Sequence, residues 1–396
     1  MSRSRGWVGA AATTVAVVLA ALVSACGTTT PQAERVVIGV DLELTGPGAH
    51  LGQIYRRALE LRVDQINEAG LLGNRHLELE VLDNRTDSGV AGTNISQLAA
   101  DSDVVAIITG GCDTCALGSL ETIAAAAVPV VSLAATTELV EPIDQRRYVF
   151  KLGPDAFDVA QVLAQELRRA EAASVGLITS DQPYGVEGQS EMTAAAQRLE
   201  LDVVSRTIAE DGQGTDVAVA DLLSEGPSSQ PGPDAVVIWA SGPASASVAV
   251  SLHNQGYEGQ IFLAPSGANE PFVGSDARDA LNGARMVFTE SLVSDVLIAS
   301  SPAKAARQTW LRDYAAQQGT YHAQASFAAD ALQVLVAAIN ENDSTDRESV
   351  RAALETTQID GFTGPIRFRL ETHSGLSPQA LVILVAQGDR WRLAAS

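Results

Sequence analysis

Apolar and polar residues alternate in blocks along the chain from about residue 36 onward. Short runs of Val, Ile and Leu, such as 36–40 and 104–109, are typical of buried β-strands. The segments between them repeat apolar residues at steps of three or four, the spacing of an amphipathic helix, and one such helix is predicted over 116–127. Strands that alternate with helices in this way predict an α/β fold, in which a parallel sheet is covered by helices on both faces.

The same alternation begins again near residue 155, and the chain of 396 residues is longer than one compact core usually holds. We therefore predict two α/β domains. Two long helices are predicted later, at about 303–317 and 323–340, and strands at 366–370 and 381–385. Ligands of open α/β sheets bind beyond the carboxyl ends of the strands, which limits a binding site to a few loops. These loops are 44–52, 109–116, 132–137, 180–185, and either 240–245 or 265–270.

The amino terminus carries the features of an export signal. Arg3 and Arg5 precede an apolar run, 7–23, and small residues then lead into Cys26. A positive start, a short apolar stretch and small residues before a cleavage site are typical of a secretory signal rather than a spanning helix. The segment resembles the lipobox of bacterial lipoproteins, which implies removal of residues 1–25 and a lipid on Cys26. An uncleaved amino-terminal anchor is the alternative.

Charge and motifs exclude several classes of protein. The net charge is −22 at pH 7, whereas proteins that bind nucleic acid need a basic surface against phosphate. No stretch after residue 26 approaches the roughly 20 apolar residues that cross a bilayer. The sequence offers no phosphate-binding glycine motif, no recognisable catalytic triad and no complete set of metal ligands. We therefore expect neither an enzyme nor a bound cofactor or metal.

Several motifs resemble one known family in their order and intervals. They are Ile38-Gly39-Val40, Leu44-Thr45-Gly46-Pro47, Ile66-Asn67-Glu68-Ala69-Gly70, Pro129-Val130-Val131-Ser132, Asp181-Gln182-Pro183-Tyr184-Gly185 and Pro233-Asp234-Ala235-Val236-Val237. The likeness spans roughly residues 36 to 370. As an ordered set, these motifs resemble the type I periplasmic binding proteins, specifically the branched-chain amino acid and amide receptors (leucine-binding-protein-like) of ABC importers.

This resemblance implies two Rossmann-like open-sheet lobes joined by three hinge crossings, near 151–154, 285–289 and 362–367. A ligand would bind in the cleft between the lobes, and hinge motion would close the cleft around it. The implied parts are a signal peptide at 1–25, a tether at 26–35, a first lobe at 36–151 plus 288–364, and a second lobe at 152–287 plus 365–396.

The resemblance also implies which residues contact the ligand. In the first lobe, Thr136 would offer a hydroxyl and Ala134 a backbone N–H to a ligand oxygen, at a helix start that favours such an acceptor. In the second lobe, Tyr184 would touch the ligand. A plain helix cap for Thr136 and a half-buried core ring for Tyr184 are the alternatives. The remaining candidate contacts are His50, Asp113, Thr114, Ser241 and Ser266.

Two of these positions depart from the pattern of the amino-acid receptors. Asp113 stands where those receptors commonly have Ser against the ligand carboxylate, and Ser266 stands where they have an acid against the ammonium group. An acid that caps a helix start would occupy the positive end that a ligand carboxylate uses. We therefore predict a ligand other than a standard branched-chain amino acid, such as an amide, a urea-like compound, an amine or a neutral polar metabolite.

Cys112 and Cys115 form a Cys-x-x-Cys pair at a predicted strand-to-helix turn. A helix start lowers thiol pKa values, which favours a redox-active dithiol, whereas export permits a stable disulfide. We interpret the pair as a local disulfide that stiffens the loop, because the chain is much longer than a thioredoxin and does not resemble one. A thiol–disulfide oxidoreductase stays as the alternative from the enzyme class.

These observations lead to one expectation and one close rival. We expect an exported, monomeric receptor on the outer face of the cytoplasmic membrane, anchored through Cys26. It would bind a small polar ligand (an amino acid, amide, urea-like compound or amine) and deliver it to the permease subunits of an ABC importer. The rival is a sensory receptor that reports the same ligand to a signalling partner, because a fold alone does not determine function.

Overall fold

The computed structural model describes residues 34–225, 232–268 and 275–394. The predicted export signal and Cys26 lie outside these ranges. In the part of the chain that the structure describes, no helix combines the length and the apolar character needed to cross a membrane.

The first half of the chain forms a five-stranded sheet. Its strands are β1 (Glu34–Leu42), β2 (Arg75–Asp83), β3 (Val104–Thr109), β4 (Val130–Ser132) and β5 (Val149–Lys151). Their order across the sheet is β2-β1-β3-β4-β5, and the pairs β1–β3, β3–β4 and β4–β5 are parallel. Every residue of the central strand β3 is buried, as expected for a run of Val, Ala and Ile that helices cover on both faces.

A second sheet follows. The later strands are β6 (Ser174–Ser180), β7 (Asp202–Ile208), β8 (Ala235–Trp239), β9 (Gln260–Leu263), β10 (Arg285–Thr289), β11 (Gln358–Asp360), β12 (Pro365–Arg367), β13 (Leu381–Gln387) and β14 (Arg390–Leu393). Seven of them form a sheet in the order β14-β13-β10-β9-β8-β6-β7, whereas β11 and β12 pair only with each other. Strands β6 to β10 pair in parallel, and β13 adds to the sheet in the antiparallel direction.

Helices separate most of the strands. They are α1 (Ala49–Glu68), α2 (Ser88–Ala100), α3 (Asp113–Gly118), α4 (Leu120–Ala126), α5 (Ala156–Arg169), α6 (Pro183–Arg198), α7 (Thr215–Ser224), α8 (Gly242–Asn254), α9 (Ser275–Leu281), α10 (Pro302–Gln318), α11 (Gln324–Asn342) and α12 (Arg347–Leu354). The last three return to the first sheet. α11 packs against α1, and the guanidinium of Arg347 donates to the carbonyls of Ala99, Asp101 and Val104.

The predicted alternation of strands and helices is confirmed, with local corrections. The single helix predicted over 116–127 is wrong, because α3 and α4 are separate helices that meet at Ser119. The Ser119 hydroxyl donates to the Cys115 carbonyl (2.9 Å), so a side chain supplies a bond where the helix breaks. The strand predicted over 366–370 ends at Arg367, because Arg369 and Thr372 pair in a tight turn. Helices α8 and α9 and strands β5, β9, β10, β11 and β14 were not among the predicted elements.

The end of β5 connects three segments. The N–H of Lys151 donates to the His373 carbonyl (2.9 Å), and the N–H of Gly375 donates to the Lys151 carbonyl (2.8 Å). The Ser374 hydroxyl donates to Asp155, just after β5 (2.6 Å). The chain that leaves the first sheet therefore runs beside the segment that leads into β13 of the second sheet.

Candidate functional site

The loop after β4 has its backbone donors occupied by the protein itself. The N–H of Ala134 donates to the Ser132 hydroxyl (3.2 Å). The N–H groups of Ala135 and Thr136 both donate to Oδ1 of Asp113, at 2.8 and 3.0 Å. The Thr136 side chain is buried, and its hydroxyl accepts from the N–H of Glu138 (3.4 Å) as the cap of a short 3₁₀ turn. Thr136 thus has the cap geometry that was the alternative to ligand contact.

Glu187, near the start of α6, reaches the same loop from the second half of the chain. The N–H of Thr137 donates to both carboxylate oxygens of Glu187, at 3.0 and 3.2 Å. The Thr137 hydroxyl contacts Asp155 at 3.5 Å. Carboxylates from elements of both sheets therefore converge on one loop.

Glu43 is a third acid in this region. It follows β1, its side chain is 1% exposed, and its Oε1 accepts the N–H of Gly111 (3.0 Å). Oε2 is buried without a hydrogen-bond partner among the described residues. The carboxylate lies directly against Gly110, where a Cβ atom would stand 2.0 Å from Oε2, so a larger residue there would force the Glu43 side chain to move. Burial raises the pKa of Glu43 to about 7, and Asp41 and Asp113 add repulsion.

The pKa of Asp113 is raised to about 6. Burial is the main cause and outweighs the hydrogen bonds from Thr136 and Ala135, which favour the ionised form. The negative charge of Glu187 raises this pKa further, whereas Lys151 lowers it. Asp113 and Glu43 are therefore both costly to ionise, and among the described residues neither forms an ion pair with a cation.

Lys151 is the cation that acts on this loop, and its own partners are close. Its side chain is fully buried, and Nζ lies 2.7 Å from Oδ1 of Asp155. Nζ also donates to the carbonyls of Gly153 and Pro154, at 3.1 and 3.2 Å. Burial opposes the ionisation of Asp155, but Lys151 and three hydrogen bonds hold the pKa of Asp155 below its ordinary value. Since an ammonium group has three donors, Lys151 has none to spare for a ligand.

The second half of the chain places Tyr184 next to Ser266. The N–H of Ser266 donates to the Tyr184 hydroxyl (3.4 Å), and the Ser266 hydroxyl donates to the Ala240 carbonyl (2.5 Å). The Tyr184 ring lies 5.8 Å from that of Trp239. Ser241 directly precedes α8, and burial raises the pKa of Glu210 although the hydroxyls of Ser180 and Ser241 favour its ionised form.

The other predicted contacts lie on the first half. His50 is in the first turn of α1 and packs edge-on against the ring of His322, at 5.6 Å. Thr114 is exposed, and its hydroxyl is 3.5 Å from the sulfur of Cys112. Cys112 and Cys115 are joined in a disulfide that encloses Asp113 and Thr114. Among the described residues, no group of three or more acids, cysteines or histidines could hold a metal ion.

The sequence predicted only some of the residues that lie together at this site. Asp113, Ala134 and Thr136 lie together, as do Tyr184 and Ser266. Glu43 and Glu187 were missed. Glu43 comes three residues after the apolar run 36–40, and Glu187 comes two residues after the motif at 181–185, and these positions at the ends of strands and loops were the available signal.

Comparison with known proteins adds the family. A family model described as periplasmic binding protein matches residues 35–389. The fold is similar to that of an extracellular ligand-binding receptor from Rhodopseudomonas palustris HaA2, at 21% identity and a TM-score of 0.79, covering 92% of this chain and all of that one. It is similar to the leucine-binding protein LivK from Thermotoga maritima at 21% identity and a TM-score of 0.78, covering 91% and 98%. The predicted type I fold is thereby confirmed.

One curated relative matches part of the chain. The chain is 27% identical over 272 residues to the chemotactic signal transduction system substrate-binding protein BasB of Halobacterium salinarum. The match covers 65% of this chain and 63% of that protein, so the chain spans under two thirds of the relative's length.

Proposed function

The chain belongs to the periplasmic binding protein family, and we propose that it is an extracytoplasmic, lipid-anchored receptor that delivers a small polar ligand to an ABC importer. It performs no chemistry on the ligand. Its free energy of binding comes from hydrogen bonds and charge interactions in a cleft that closes around the ligand.

The meeting of Asp113 and Glu187 at one loop carries this proposal. Asp113 stands at the carboxyl end of β3, and Glu187 stands near the start of the helix that follows β6. In open α/β sheets these are the positions where ligands bind. Both side chains hold N–H groups of residues 135–137, so a ligand that enters here would contact both halves of the protein at once.

The proposed lobes are 36–151 plus 288–364 and 152–287 plus 365–396. The return of α10 to α12 onto the first sheet supports this division, as does the addition of β13 and β14 to the second. The crossing after Lys151 would then act as a hinge, held by Asp155 and Ser374. Closure would bring Tyr184, Ser241 and Ser266 toward Asp113.

A thermal-shift screen tests the receptor function. The purified protein is heated with amino acids, amides, ureas, amines, small carboxylates and sugars. A ligand at about 100 times its dissociation constant should add roughly 2.7 kcal/mol to the free energy of unfolding. Stabilisation by one chemical class supports a binding protein, whereas no stabilisation by any class would count against it.

The anchor is tested separately in cells. Acylation of Cys26 predicts incorporation of labelled palmitate and recovery in the membrane fraction. A Cys26→Ala variant should carry no label. Labelling that persists in this variant would place the lipid elsewhere.

Sensing is the second candidate, because the matched relative BasB is described as part of a chemotactic system. The two roles predict different phenotypes once a ligand is known. Deletion of the gene should abolish high-affinity uptake of labelled ligand if the protein serves an importer. Loss of the response to a ligand gradient with unchanged uptake would favour sensing.

A further inference from the structure

The acids around the loop at 134–137 leave no backbone donor there for a ligand carboxylate. The four consecutive N–H groups of this loop donate to Ser132, Asp113 and Glu187. A ligand carboxylate would have to displace both acids and would then lie beside their negative charges. Like charges within a few ångströms, about 4 Å, repel strongly when water is excluded.

Among the described residues, the same arrangement has no positive charge that is free to pair with a further acid. Asp113 uses only Oδ1 for the loop, and within the described residues no hydrogen bond reaches its Oδ2. Lys151 is committed to Asp155 and two carbonyls. A half-buried carboxylate with a free oxygen gains most from a ligand that brings donors and positive charge.

Glu43 provides an independent observation. Its carboxylate is 1% exposed, it is directed at the Gly110–Gly111 turn that leads into Asp113, and its Oε2 is unpartnered. A buried acid without a counter-ion is costly and is seldom retained for packing alone. Its negative charge repels that of Asp113, which Glu187 also repels.

We infer that the cleft selects a small organic cation without a carboxylate, a primary amine or a guanidinium, whose positive group lies between Asp113 and Glu187 with Glu43 behind them. This inference rests on the proposed receptor function and specifies its ligand class. The cation would donate to Oδ2 of Asp113 and to Glu187. It would hold the two halves together by pairing with an acid of each.

Matched compounds separate the charges of the ligand. Leucine is compared with 3-methylbutylamine, which lacks its carboxylate, and with 4-methylpentanoate, which lacks its ammonium group. The panel also contains 1,4-diaminobutane, methylguanidine, acetamide, urea, Mg²⁺ and Ca²⁺. We expect thermal stabilisation by at least one amine or guanidinium compound and none by the carboxylates. Stronger binding of leucine, a carboxylate, a neutral amide or a metal ion would overturn the inference and leave the receptor function standing.

Variants test the assigned residues by titration calorimetry with the best cation. Asp113→Asn keeps an oxygen for the N–H groups of residues 135 and 136, and Glu187→Gln keeps one for Thr137, so both should fold. Each should weaken binding roughly tenfold or more, since a charged partner is lost. Glu121→Gln removes the same charge from an exposed position on α4 and should leave the affinity unchanged. Equal weakening in all three variants would show that affinity depends only on the net charge of the protein, and would overturn the inference. If no compound binds, the receptor function fails with it.

Discussion

Asp113 and Asp330 form similar hydrogen bonds to the backbone, but their carboxylates differ in how many of their oxygens are used. Each accepts two consecutive backbone N–H groups from a distant loop, and burial raises the pKa of each to about 6. Asp330 on α11 is fully buried. Its Oδ1 accepts from the N–H of Phe362 (2.7 Å), and its Oδ2 accepts from the N–H and hydroxyl of Thr363 (2.8 and 2.6 Å).

The difference lies in the second oxygen. Both oxygens of Asp330 accept hydrogen bonds, and the segment at 361–363 is held close enough that a Cβ on Gly361 would lie 2.6 Å from the carboxylate. Asp113 is half-buried, and only Oδ1 is used. The arrangement at Asp330 is typical of a carboxylate that only holds two segments together. The arrangement at Asp113 leaves one carboxylate oxygen at the cleft, where we propose that a ligand binds.

Alanine substitutions should separate these two roles most strongly. Asp330→Ala leaves two buried N–H groups and a hydroxyl without an acceptor, so we expect a loss of about 3 kcal/mol or more in the free energy of unfolding. Asp113→Ala should cost less, roughly 1 to 2 kcal/mol, because its two bonds to the N–H groups of residues 135 and 136 are only partly buried and no hydroxyl loses its acceptor. Urea unfolding of both variants measures the difference. Similar losses would mean that Asp113, like Asp330, only holds two segments together.

The larger elements of the fold were predictable because their patterns are local. The central strand at 104–109 was predicted at its observed bounds, since a run of Val and Ile between polar residues has few other interpretations. The return of α10 to α12 onto the first sheet came only from the family resemblance. It depends on long-range contacts, such as that of Arg347 with three carbonyls near α2, which no local pattern encodes.

The site was less predictable than the fold. Asp113 was singled out because it departs from an expected Ser, but its bonds to the loop at 135–136 depend on the register between β3 and β4. Glu187 was missed because its partner, Thr137, is 50 positions away in sequence. Helix α8 was missed because Ser and Ala fill much of it, and such small residues give a weak apolar period.

The buried carboxyl group of Glu43 should make the stability of the protein depend on pH. Its pKa is raised from 4.5 to about 7, so the folded protein binds the proton more tightly than the unfolded chain does. By linkage, this group lowers stability as the pH rises from about 4.5 through 7, by roughly 3 kcal/mol in total. Glu43→Gln should remove this part of the pH dependence. The stability of the variant relative to the original protein should therefore rise by that amount between pH 4.5 and 8.

Ligand binding should show the opposite dependence on pH. The groups that face Asp113 are Glu43, Glu187, Lys151, Tyr55 and Tyr184. As the pH falls through 7 and then 6, protonation of Glu43 and then of Asp113 removes negative charge, so affinity for an amine should fall as the pH drops from 7.5 to 5. Calorimetry in buffers of different ionisation enthalpy should detect proton release on binding near pH 6.5. An affinity that does not change over this range would show that these two acids do not face the cation.

The disulfide should have the smallest effect, because it closes a loop of only four residues. Loop-closure entropy for so short a loop amounts to about 2 kcal/mol. Replacing Cys112 and Cys115 together by Ser should therefore cost at most that amount in urea unfolding. Binding of the cation should weaken only a few-fold, because Asp113 also keeps its two bonds to the loop at 135–136.

Cys115 is 2% exposed, which argues against rapid thiol exchange. An insulin-reduction assay should accordingly show no activity that depends on the pair. Catalysed reduction that disappears in the double variant, with binding retained, would restore the oxidoreductase alternative beside the receptor.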